Sequence, residues 1–138
     1  MNNVDEKLAP YGALVLRVGL GVMWIAHALL KWFVFTIPGV AAWLDTQGLP
    51  SELAWPLFIV ELAGGLAILL GIYGRYVALL MIPIMAVVTW THFPNGWIHT
   101  SPGGGWEFPV FLIAASFAYG LIGDGAFAIR SRLKLIPG

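Results

Sequence analysis

Four apolar runs dominate the sequence, over residues 11–36, 53–72, 75–93 and 106–125. Each is near the roughly 20 residues that an α-helix needs to cross a bilayer core about 30 Å thick. A chain built this way has few places to fold other than lipid. Composition agrees: of 138 residues, 59% are hydrophobic and 10% charged, with mean hydropathy +0.85. A soluble domain carries about 25% charged residues. Seven basic and seven acidic side chains are too few to cover a soluble globule of this size. The expected fold is an all-α membrane protein, one four-transmembrane-helix bundle over residues 1–138. The zero net charge leaves no electrostatic footprint for nucleic acid. The absence of cysteine excludes disulfide exchange, iron–sulfur clusters and covalent haem attachment.

The first run reads as a retained span rather than a leader, because it contains Arg17 and no small-residue cleavage site follows it. Lys7, Arg75, Arg130, Arg132 and Lys134 flank one side of the spans, against Lys31 alone on the other. The positive-inside rule then puts both termini in the cytoplasm. Trp43, Trp97 and Trp106 fit an outer aromatic belt. Between spans one and two, "IPGVAAWLDTQGLPSE" (37–52) predicts a short interfacial helix. Pro38 suits its first turn and Gly48 its end, with Ala41, Trp43 and Leu44 on the membrane surface. "GIYGRY" (71–76) predicts a tight turn, and 94–105 a polar loop. Gly19, Gly21, Gly64 and Gly65 suit close helix approach.

Ionisable groups inside spans are costly, roughly 2.5–3.5 kcal/mol each by insertion scales. Span one nevertheless holds Arg17, His27 and Lys31, and Glu61 lies mid-way along span two. A carboxylate there must be protonated, paired or wetted. An Arg17–Glu61 charge pair that fixes helix register is one expectation; a proton carrier or ligand contact at Glu61 is the other. By depth, His27 lies about 24 Å along span one, level with His92 near the end of span three. Lys31 follows His27 by one turn on the same face. Glu107 opens span four, and His99 lies in the adjoining loop. His27, Lys31, His92, His99 and Glu107 are therefore candidates for one outward-opening polar pocket walled by Trp24, Trp90 and Trp106. Singly, each such residue is ordinarily snorkelling or hydrogen-bonded. Two histidines at matched depth could ligate haem b, and two histidines with Glu107 could bind a metal ion. Neither has a diagnostic spacing, so no metal site is assigned. A quinone headgroup needs a hydrogen-bond donor to each carbonyl, a proton route and an aromatic wall, which these residues supply.

"LRVGLGVMWIAHALLKW", "WLDTQGLP" and "FIVELAGGLAILLGIYGRYVALLM" together resemble the DoxX family, with "GLIGDGAFAI" resembling its Gly-rich ending. Arg17, Lys31 and Glu61 fall on the family pattern; Ala28 departs from it, where a glycine before the lysine is common. The resemblance implies a four-helix, multi-pass protein of the cytoplasmic (inner) membrane. It implies association with redox systems: quinone-linked thiosulfate oxidation, an oxidative-stress complex with superoxide dismutase and a sulfurtransferase, and maturation of other redox proteins. It carries no settled catalytic residues, and whether the chain is an enzyme stays open. The leading expectation is a membrane subunit of a redox system that binds quinone, with a soluble or membrane redox partner and homo-oligomers in view. The alternatives are a non-catalytic scaffold or assembly factor, and a small proton-coupled transporter. The strong charge bias argues against the dual orientation that small multidrug exporters tend toward.

Overall fold

The computed structural model describes residues 3–130. Helix α1 spans Ala9–Phe33, with Pro10 in its first turn, where a missing N–H breaks no helical bond. It stops three residues short of the expected end. Thr36 takes φ +63° and its side chain accepts from Gly39 N, capping α2 (Ile37–Thr46). Gly48, at φ +73°, turns the chain after α2, and Leu49 N–H returns to Leu44 C=O. A single 3-10 turn at Ser51–Leu53 leads into α3 (Ala54–Leu70), which Gly71 ends in the left-handed conformation. Helices α4 (Gly74–His92) and α5 (Glu107–Ile122) follow. Among the described residues, three helical segments are long and apolar enough to cross a membrane: Ala9–Phe33, Ser51–Leu70 and Gly74–Asn95. Helix α5 is apolar but shorter, at 16 residues.

The long helices form a ring in which α1 packs on α3, α3 on α4, α4 on α5 and α5 back on α1. Contacts along α1 and α3 run antiparallel. Gly21 meets Leu69, Gly65 meets Trp24 and Ile25, and Trp32 stacks on Phe58. Gly64 admits Met81 of α4, and Gly120 admits Leu79. Three of the four glycines expected at helix contacts are therefore there; Gly19 faces open space. The central core is Leu20, Trp24, Ile68, Ala78, Met81, Met85, Leu112 and Tyr119. A smaller core under α2 joins Ile37, Val40, Leu44 and Ala54. Leu44 is thus buried, and Ala41 packs on the same cluster, rather than both lying on the membrane surface. Only α2's opposite face, with Trp43, is open. Large apolar side chains cover the outside of the ring, including Val15, Leu80, Phe111 and Leu121, as a lipid-facing surface requires.

A Cβ on Gly21 would lie 2.8 Å from the Leu69 backbone N, and one on Gly65 2.9 Å from the Ile25 backbone N. Backbone cannot move aside as a side chain can. Gly21→Ala and Gly65→Ala should each cost about 1–3 kcal/mol, lowering the unfolding midpoint in detergent. Gly19→Ala should leave the midpoint unchanged or raise it, since helix propensity alone then acts.

Candidate functional site

Glu61 is buried at 3% exposure, half-way along α3. Its partner is Lys31, whose Nζ lies 2.8 Å from Oε2. The contact is Coulombic, without the alignment of a directed hydrogen bond at Oε2. The expected Arg17–Glu61 pair does not form. The antiparallel register explains why: Gly21 opposite Leu69 and Ile25 opposite Gly65 bring Glu61 close to Leu29, within reach of Lys31. The same register carries Arg17 past the end of α3, where its guanidinium lies against Gly71.

At that end Arg17 Nη1 donates to the Asp124 backbone carbonyl at 2.8 Å. The Asp124 carboxylate, buried at 3% exposure, accepts from Arg75 N–H at 2.7 Å and from the Tyr119 hydroxyl. Arg75 also reaches the Leu121 carbonyl. Gly74 makes room here, because a Cβ would collide with the Tyr119 hydroxyl and Asp124 Oδ1. The chain after α5 then folds across this end. Ala126 N–H bonds Pro10 C=O, Ile129 N–H bonds Leu70 C=O, and Tyr73 N–H bonds Arg130 C=O. Asp124 and Tyr119 were absent from the sequence-based site. An acidic residue between two glycines, at the end that holds Arg17 and Arg75, was the signal that could have found them. Lys7, Arg75 and Arg130 flank this end, while Arg132 and Lys134 lie outside the described residues.

The other end carries the histidines, and each uses its Nδ1 internally. His27 Nδ1 lies 2.8 Å from Met23 C=O, His92 Nδ1 2.8 Å from Val88 C=O, and His99 Nδ1 2.7 Å from Glu107 Oε1. A carbonyl or carboxylate only accepts, so each Nδ1 carries hydrogen and each Nε2 is left over. Glu107 also accepts from His99 N–H, and Trp106 and Glu107 N–H bond back to Gly96 and Trp97 C=O. These bonds close the 93–106 loop into a packed unit, with Trp106 against Trp97 and Phe93.

Among the described residues these groups fall on two separate hollows rather than in one pocket. A groove of about 770 Å³ beside α5 is lined by Trp97, His99, Glu107, Phe108, Phe111 and Ala114, together with Val110. His27 stacks on Phe108, with ring centroids 6.3 Å apart. A smaller hollow of about 260 Å³ involves Trp43, Gln47, His92 and Asn95. Of the expected constellation, the structure joins His99 with Glu107 and sets His27 next to their groove. Lys31 goes to Glu61, and His92 goes to the smaller hollow. Trp24 is in the core at 1% exposure, whereas Trp90 is 61% exposed on the outer surface; neither lines either hollow. His27 and His92 pack on different elements, α5 and α2, and neither hollow is lined by both. Among the described residues no three His, Cys, Asp or Glu gather as a metal site.

Removing one member of a buried ion pair strands the other, at a cost of about 3 kcal/mol or more. Lys31→Met or Glu61→Leu alone should therefore destabilise strongly, and the double variant should recover most of the loss. A double-mutant cycle of unfolding in detergent measures this coupling. The same cycle between Arg17 and Glu61 should give a coupling close to zero. Asp124→Ala should cost about 2 kcal/mol by stranding the Tyr119 hydroxyl and Arg75 N–H.

No curated protein and no solved structure matches this chain. Residues 12–94, more than half of the chain, match the DoxX family. That stretch takes in Arg17, Lys31, Glu61 and Arg75, and with its three membrane-length apolar helices the chain is a membrane protein of the DoxX family.

Proposed function

We propose that this protein is an integral membrane subunit of a redox system that holds a quinone headgroup in the groove beside α5. The observation that carries this reading is the His99–Glu107 pair at the margin of an otherwise apolar, aromatic-walled groove. With its ring protonated and paired with the Glu107 carboxylate, His99 donates its Nε2 hydrogen to a quinone carbonyl. Glu107, held by the His99 ring and backbone, is placed to pass a proton through the imidazole to the loop side. Phe108 and Phe111, about half and two-thirds exposed, give an apolar flank along which a prenyl tail would run into lipid. The chain's 59% apolar composition and the family match support placement in the cytoplasmic membrane.

In this reading α5 is the fourth span. Its packing on α4 and α1 and its exposed Phe117 and Leu121 support that. Lys7, Arg75 and Arg130 at one end support cytoplasmic termini, so that the groove and the smaller hollow face outward. The electron donor would be a separate soluble or membrane partner, since the chain has no cysteine for a thiol relay or an iron–sulfur cluster.

Protein purified in mild detergent should carry quinone, seen in a redox difference spectrum and by mass spectrometry of the extract. His99→Ala, at an exposed position, should lower quinone affinity about fivefold to tenfold without loss of fold, as expected for one hydrogen bond. A folded protein that neither retains nor rebinds quinone would refute the proposal and favour the scaffold role.

A further inference from the structure

We infer that the smaller hollow is a second binding site, separate from the quinone groove, for a small neutral ring bearing hydroxyl groups. The hollow is lined by Trp43 and Gln47 of the α2 region, Thr91 and His92 at the end of α4, and Asn95 and Gly103 of the following loop. No Lys, Arg, Asp or Glu lines it, so an ion would find no counter-charge there. Its volume of about 260 Å³ is below the usual range of roughly 300–1,000 Å³ for drug-sized ligands, which suits a single ring.

The hydrogen-bonding atoms that His92 and Asn95 leave free are acceptors, and local chemistry fixes them as such. Thr91 Oγ1 donates to Val88 C=O at 2.8 Å and lies 3.1 Å from His92 Nδ1. With the Val88 carbonyl also on Nδ1, that nitrogen carries the hydrogen, and Nε2 of the neutral ring presents a lone pair. Asn95 Nδ2 donates to Gly104 C=O at 2.8 Å, which fixes the amide orientation and turns Oδ1 away as a free acceptor. Gln47 is held only by a long 3.4 Å contact to Thr46 and can rotate to serve either role. A ligand that bonds His92 and Asn95 must bring donors, and hydroxyl groups are neutral donors. The Trp43 ring, 6.2 Å from the His92 ring, supplies a flat face for the ligand's own ring.

The loop keeps this site open. Gly103 and Gly104 both take φ +81°, and a Cβ on Gly103 would press on Asn95 Nδ2 at 2.9 Å. A Cβ on Gly104 would lie 3.6 Å from His92 Cδ2 and 4.0 Å from Nε2, over the ring edge that would receive the ligand. Two adjacent glycines in the left-handed region thus leave both acceptors uncovered.

The test uses the full chain in detergent micelles, labelled at the tryptophan indole nitrogens, with the Trp43 signal identified from Trp43→Phe. Catechol and myo-inositol are the probes; one is an aromatic diol and the other a saturated polyol. At least one probe should shift the Trp43 signal saturably, with a Kd of about 1 mM or tighter. Whichever responds tells whether the ring is aromatic or saturated. His92→Phe, which keeps the ring and loses Nε2, should weaken binding at least about tenfold. Gly104→Ala should weaken it too. The remaining tryptophan signals report whether each variant is folded. His99→Ala should leave the titration unchanged, which separates this site from the quinone groove. No saturable shift with either probe, a shift indifferent to His92→Phe, or one abolished by His99→Ala would overturn the inference.

Discussion

A carboxylate buried in the middle of an apolar helix must be protonated, wetted or paired, and the ring of helices is arranged so that Lys31 meets Glu61. The pair forms only because α1 and α3 approach closely through Gly21 and Gly65. Side chains at those positions would push the helices apart and lengthen the ion contact. Close approach and charge pairing therefore support each other. The glycines bring Lys31 within reach, and the charge pair selects one antiparallel register among the many that two apolar helices could adopt in lipid. That register also puts Arg17 at Gly71, beyond the end of α3.

The opposite end depends on Asp124 in a comparable way. One residue ties the start of α4, through Arg75 N–H, to Tyr119 of α5, while its own carbonyl receives Arg17 of α1. Three elements distant in sequence meet on a single aspartate. The glycines around it are needed to admit side chains, not to loosen the chain. Gly71 gives way to Arg17, and Gly74 to Tyr119 and Asp124. The histidine end is built differently, from a loop folded on itself around Trp97, Trp106 and Glu107. Polar groups there keep unused hydrogen-bonding capacity, which suits binding.

Much of the fold was legible because the physics of lipid is simple. Apolar length marked the three helices long enough to cross a membrane, Pro38 and Gly48 marked the helix between the first two, and the turn at 71–76 followed from its glycines. Helix partners were harder. Depth placed Arg17 on one side of Glu61 and Lys31 on the other, and only the helix register decides between them. Convergence at the histidine end was overestimated, because matched depth carries no information about azimuth. His27 and His92, expected at one level, pack on different helices. Asp124 escaped notice since its role depends on the chain folding back after α5, which no periodic pattern announces. Leu44 was placed on the membrane surface because a short amphipathic helix alone does not say which face the neighbouring helices will cover.

The length of α5 has a consequence for the lipid around it. Its 16 residues cover about 24 Å at 1.5 Å per residue, against a hydrocarbon core of about 30 Å. Helix α1, with 25 residues, has length to spare. For α5 to cross, the bilayer must thin on its flank, or the 93–106 loop must sink below the headgroups. Either adjustment brings the groove between Trp97 and Phe111 to the level of the acyl chains. A lipid-soluble molecule diffusing in the membrane plane would then reach His99 sideways, without first passing into water.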